Sequence, residues 1–188
     1  MENKAKVALL LLLILYIAPG CKKIEDETGE ILHKIPAGKH YSDNRFIARG
    51  DLVIGHFYVH QSWVHTEKTP AWNKLIGLSA GIDPKQNSAR IAWRCIGGSI
   101  RLAAMFHRDG SAPAFVELAE VAPNSWHTFK VYQCFDWVKG ESVYCVEVDG
   151  ATASKPGYKY RQSLYLCHPY YGGYDPAPHD MFFIFKFI

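Results

Sequence analysis

The sequence predicts an all-β protein of the sandwich or barrel kind, and three observations carry that expectation. Long stretches with helical hydrophobic periodicity are absent. In their place, short runs rich in Val, Ile, Tyr, Phe and Trp alternate with turn residues, the pattern of many brief strands. Aromatic residues make up 14% of the chain, ample material for a core between two sheets.

The expected strands, in order, are ILHKIP from 31, FIARG from 46, HFYVHQSW from 56, KLIGLS from 74, SARIAWRCI from 88 and SIRLAAMFH from 99. FVELAEV from 115, WHTFKVYQCF from 126, ESVYCVEVD from 141, SLYLCHP from 163 and DMFFIFKFI from 180 complete the set. Two hairpins can be registered. Gly97-Gly98 is a two-residue turn signal, which pairs Arg94 with Arg101 and Trp93 with Leu102. Alternation then puts Ile91, Trp93, Cys95, Ile100, Leu102, Ala104 and Phe106 on one apolar face. Arg90, Arg94, Arg101 and His107 share the other, with Ala92, Ala103 and Met105 between them. In the second hairpin, a turn at Lys139-Gly140 pairs Val138 with Glu141. It sets Cys134 directly opposite Cys145, close to disulfide distance. Two free thiols packed as small apolar groups are the alternative. The state of Cys95 and Cys167 is left open.

The N-terminus reads as an export signal. MENKAK is basic, VALLLLLILYIA is apolar but shorter than a membrane span, and APGC ends in small residues and a cysteine. It resembles a bacterial lipoprotein signal whose cysteine, here Cys21, becomes lipidated. The expected layout is a signal peptide over 1–20, a polar tether over 21–30 and one β-sandwich domain over 31–188. The resemblance implies a lipid anchor in the membrane at the bacterial outer membrane or cell surface, or facing the periplasm. Such a compartment allows disulfides. The formal net charge of +3 speaks against a nucleic-acid partner.

Three stretches together are similar to a family: IPAGKHYS from 35, KLIGLSAGIDPKQNSARIAWRCIGGSIRLAAMFHRDG from 74, and LYLCHPYYGGYDPAPHDMFFIFKFI from 164. They resemble small exported bacterial proteins with concanavalin A-like jelly-roll domains. The resemblance implies a two-sheet antiparallel jelly-roll sandwich, with sugar held on a concave face or its rim loops. A shared fold does not by itself confer that function.

The chemistry on offer is weighed on residues. Jelly-roll glycanases carry E-x-D-x-x-E on one strand. Glu147 and Asp149 match its first spacing, but Thr152 stands where the third acid belongs, and Asp149-Gly150 reads as a turn. Glu117 and Glu120, three apart, are expected on opposite strand faces. A polysaccharide lyase of jelly-roll type implies a Tyr or His base with Arg neutralising a sugar carboxylate. Those residue types are present, while the strings that mark alginate lyases are absent. No context for Ser-His-Asp catalysis is visible.

The Arg90, Arg94, Arg101 and His107 face is the sharpest local feature. Like charges opposite each other are destabilising unless relieved, and the hairpin itself offers no acid. An anion would relieve them, since guanidinium forks match carboxylate and sulfate; solvent screening of an exposed face would do so too. The expected role is noncatalytic binding of a carbohydrate, with an acidic glycan as the favoured ligand. A glycan-active enzyme or an envelope assembly with protein partners are the alternatives. His56 and His60 are expected on one strand face and His65 on the other, which does not assemble a zinc site. HPYYGGYDPAPHDM, from 168, reads as a closing corner, with Tyr170 and Tyr171 as candidate rim residues. No cofactor is expected, although its Asp and His residues leave calcium open.

Overall fold

A computed structural model of the chain describes residues 29–42, 49–66, 71–85, 87–158, 164–172 and 175–188. The expected signal peptide, Cys21, most of the tether and the start of the FIARG run lie outside them. Among the described residues, twelve strands form two six-stranded antiparallel sheets. The first has the order β1 (Ile31–Ile35), β12 (Met181–Phe187), β3 (Leu52–Val59), β8 (Ser125–Asp136), β9 (Glu141–Val148) and β10 (Ala151–Tyr158). The second has the order β2 (Arg49–Gly50), β11 (Leu164–Cys167), β4 (Asn73–Ser79), β5 (Asn87–Ile96), β6 (Ser99–Arg108) and β7 (Ala114–Val121). This is a jelly-roll sandwich, with the chain crossing repeatedly between sheets.

Period-two patterning explains the packing. Phe57, Phe129, Val131, Phe183 and Phe185 of the first sheet meet Ile91, Trp93, Leu102, Ala104 and Phe106 of the second in one core. Trp63 and Trp93 stack at 4.7 Å at its centre, and Trp63 donates its indole N–H to the Phe182 carbonyl at 2.8 Å. The apolar face expected for the β5–β6 hairpin lies in this core, and its register is as the Gly97-Gly98 turn requires.

The β8–β9 hairpin differs from expectation. Asp136, not Val138, pairs with Glu141, across a four-residue turn. Asp136 sets that turn: its carboxylate accepts the Val138 and Lys139 N–H groups, and its carbonyl accepts Gly140 N–H at 2.8 Å. Gly140 sits at φ 67°. The register therefore slips by two. Cys134 faces Val143 and Cys145 faces Tyr132, and all of Cys95, Cys134, Cys145 and Cys167 are free thiols. Two further differences concern elements. The HFYVHQSW strand starts earlier, at Leu52, and stops at Val59; His60 instead caps a 3-10 turn over Gln61–Trp63, accepting the Ser62 N–H. His60 thus does not share a strand face with His56. The unforeseen β10, ATASKPGY, holds Ala, Gly and Pro156, residues tolerated at the sheet edge it occupies.

Candidate functional site: the outer face of the second sheet

The strand registers lay out the solvent-side face of the second sheet as a grid. Crossing β4, β5, β6 and β7, one row reads Lys74, Ala92, Ala103 and Glu117, and the next reads Gly77, Arg90, Met105 and Phe115. On one side of these lies Arg94, Arg101 and Glu120; on the other, Ser79, Ser88 and His107. β11 adds Tyr165 beside Ser79 and Cys167 beside Gly77. Two bulges make this grid. In β4 an extra Leu75 drops into the core, letting Lys74 and Gly77 both face outward. In β7 an extra Leu118 does the same for Glu117 and Glu120, which therefore lie on one face rather than opposite faces.

That second bulge changes the reading of the arginines. Arg94 donates to Glu117 at 2.5 Å, and Arg101 lies 3.5 Å from Glu117 and 3.8 Å from Glu120. The hairpin carries no acid of its own, but its neighbouring strand supplies two. The Arg94–Arg101 repulsion is relieved within the protein. Arg94 also packs its guanidinium 4.2 Å from the centre of the Trp72 ring, and Trp72 stacks on Phe115 at 5.3 Å and 15°. This stack joins the β4 end of the face to its β7 edge diagonally, across the row of Ala92 and Ala103. Those alanines and Met105 are fully buried although they point away from the core.

The other side of the face is different. Arg90 is 9% exposed, and among the described residues it has no carboxylate partner; its Nε is buried without a hydrogen bond, as is that of Arg94 and of Arg101. Its stem lies over Gly77. A Cβ there would come within 2.8 Å of the Arg90 Cγ and 2.1 Å of the Ala89 carbonyl oxygen, so this place requires glycine. Lys74 donates from Nζ to the Gly172 carbonyl at 3.0 Å and sits 5.1 Å from the centre of the Tyr170 ring. Burial, then the charges of Arg90 and Lys85, pull its pKa down to about 8. His107 is also held below the usual histidine range, by burial first and then by Arg90, Lys74 and Lys85, against a bond to the Ser111 backbone. Its surroundings favour the neutral imidazole, whose Nδ1 is buried and unpaired. Lys74 and Arg90 thus crowd positive charge in a partly dehydrated place, where an anion would gain most.

The candidate residues therefore separate. Arg90 and His107 stand together with Lys74, which sequence reasoning missed. Arg94 and Arg101 are neutralised. Tyr170 lies at the border of the face, its backbone paired with Lys74. Tyr171 is a correction: it is 1% exposed, with its hydroxyl bonded to His65 Nε2 at 2.7 Å, and lines no rim. The closing corner is tied down. Ala177 exchanges backbone bonds with Gly38 and Lys39, the Asp180 carboxylate accepts Ala37 N–H and pairs with Lys34, and His179 reaches the Ser62 carbonyl.

A Ser-His-Asp string invisible in the sequence does form elsewhere. His127 Nδ1 lies 2.6 Å from Asp149 Oδ2, and its Nε2 lies 2.7 Å from Ser125 Oγ. Yet Ser125 Oγ is 2.5 Å from the Ala122 carbonyl, which takes its proton. A hydroxyl so committed is a structural tie, not a nucleophile. Burial would raise the Asp149 pKa, but bonds from His127, the Thr128 N–H and the Thr128 hydroxyl outweigh it and hold the carboxyl below its usual range. The β9–β10 turn, with Asp149 at φ 48°, is pinned to β8 in this way. Asp149 is thereby also spent, which leaves no glycanase-like carboxylate pair with Glu147.

No family model matches the chain, and no curated protein matches it. Among solved structures, the chain is similar in shape to an alginate lyase from Pseudomonas aeruginosa, at 11% identity and TM-score 0.48, covering 72% of this chain and 61% of that one. It is also similar to a functionally unknown protein from Saccharomyces cerevisiae, at 9% identity and TM-score 0.49, covering 87% and 88%. A third is a carbohydrate-binding module from Bacillus subtilis, at 10% identity and TM-score 0.37, covering 84% and 79%. The chain spans about three-fifths of the length of the lyase. At such identities no residue role passes from these proteins to this one.

Proposed function

We propose that this protein is a lipid-anchored envelope protein that binds an acidic glycan on the outer face of its second sheet. The observation that carries the binding role is Arg90. It is nine-tenths buried, unpaired by any described carboxylate, and set beside a second dehydrated cation, Lys74. Leaving such a charge unpaired is costly, and a ligand carboxylate answers it with a charge-assisted bond. Titration with oligogalacturonate at fixed salt tests the reading. Arg90→Gln should lower affinity about tenfold to a hundredfold, the scale of losing a hydrogen bond to a charged group. Equal binding by parent and variant would sink the proposal.

One observation favours a lyase as second reading: the neutral His107 lies on the same side of the face as Arg90 and keeps Nδ1 unpaired. A base of that kind abstracts a proton once Arg90 has neutralised the sugar carboxylate and the bound sugar has come within hydrogen-bond reach of the buried Nδ1. Appearance of unsaturated uronate absorbance that vanishes in His107→Gln would support catalysis; unchanged absorbance on prolonged incubation speaks for binding alone. Anchoring through Cys21 is tested separately, by whether Cys21→Ala moves the protein from the membrane to the soluble fraction.

A further inference from the structure

Resting on the glycan-binding reading, the two sides of this face differ in a way that specifies the ligand. The Arg90 side carries cations without a described carboxylate. The Arg94 side carries two arginines neutralised by Glu117 and Glu120, whose carboxylates are 51% and 62% exposed and face whatever approaches. Between the two sides runs the Trp72–Phe115 stack, which ends on Phe115, 37% exposed, on β7 in the row of Arg90. Arg90 and Phe115 lie in one row two strands apart, hence about 10 Å across the sheet, wider than a single pyranose ring. One bound chain therefore presents different sugars to Arg90 and to Phe115.

We propose that an acidic sugar docks over Arg90 and Lys74, while an adjoining uncharged sugar lies on the Trp72–Phe115 stack, so that the ligand is a heteropolysaccharide mixing acidic and neutral residues, not a homopolyuronate. The apolar face of a neutral pyranose is buried on the rings. A second carboxylate at that place finds no free cation, because Glu117 and Glu120 already hold Arg94 and Arg101. Glu117 thus selects against uniformly acidic chains while holding Arg94 and Arg101.

The test compares hyaluronan fragments, in which uronate alternates with an uncharged amino sugar, with oligogalacturonate fragments matched in carboxylate number. Calorimetric titration is run on the folded chain at one ionic strength. The parent should bind hyaluronan fragments at least tenfold more tightly. Glu117→Gln should shrink that preference at least fivefold, chiefly by strengthening oligogalacturonate binding. Phe115→Ser should weaken the hyaluronan complex and leave the other nearly unchanged. Equal affinity of the parent for both polymers, with Arg90→Gln still abolishing binding, overturns this inference and leaves the glycan reading standing. Binding of neither polymer overturns both.

Discussion

Arg90 and the Arg94–Arg101 pair stand on one hairpin and one face, yet the fold treats them oppositely. The pair is balanced by Glu117 and Glu120, delivered by a bulge in the next strand. Arg90 lies across a glycine, nine-tenths buried, with no carboxylate among the described residues. Counting arginines on a face therefore says little about where an anion goes. What matters is which charge the protein has already answered and how far each is removed from water. An exposed ion pair contributes roughly 0–1 kcal/mol, whereas a buried cation left unpaired is a far larger imbalance.

Substitutions sharpen this contrast, and Gly77→Ala should act most. Its Cβ overlaps the β5 backbone and the Arg90 stem, so it should cost roughly 1–3 kcal/mol or more in chemical denaturation, the scale of overpacking. It should also displace Arg90 and abolish acidic-glycan binding. If Gly77→Ala binds and folds as the parent does, Arg90 is not held in the way described. Next comes the pair of single variants. Arg90→Gln should lower oligogalacturonate affinity at least tenfold, while Arg101→Gln should change it less than about threefold, because Arg101 is already neutralised. The reverse ranking would return the site to the Arg94–Arg101 pair.

Acidity separates the two sides more gently. Lys74 is an ammonium below its pKa of about 8 and loses that charge above it. A neighbouring anion favours the charged form, so affinity should fall as pH rises from 7 to 9, and Lys74→Met should flatten that fall. Smallest is an effect remote from the face. Asp149 has a depressed folded pKa, so its contribution is present above the unfolded value, about 3.9, and is lost as pH falls below it. Asp149→Asn should remove that acid-labile part of the stability, no more than about 0.5 kcal/mol once solvent screening of a carboxyl 42% exposed is allowed for, without altering glycan binding. Thermal melts between pH 3 and 7 would show it.

Much of the fold was legible because its signals are local. Alternation in SARIAWRCI and SIRLAAMFH, with Gly97-Gly98 between them, was enough to register β5 on β6 and to name both faces. Asp136 defeated the same logic at the β8–β9 turn, because its side chain bonds make a four-residue turn where Lys139-Gly140 suggested two. The candidate site was half legible. Arg90 and His107 share a face by parity alone. Lys74 and Phe115 reach it from β4 and β7, and Trp72 from the residue before β4; the registers of those strands depend on bulges at Leu75 and Leu118 that no short-range pattern announces. Those same bulges placed Glu117 beside the arginines and so decided which of them is free to bind.

The most direct measurement follows the arginine side chains themselves. In ¹H–¹⁵N spectra of the folded protein, each Nε–H signal is assigned by single Arg→Lys substitution and followed while an acidic oligosaccharide is added. The account predicts that the Arg90 signal shifts saturably and by far the most, with Arg94 and Arg101 nearly still. A saturating titration that moves Arg94 and Arg101 while Arg90 stays in place would contradict it.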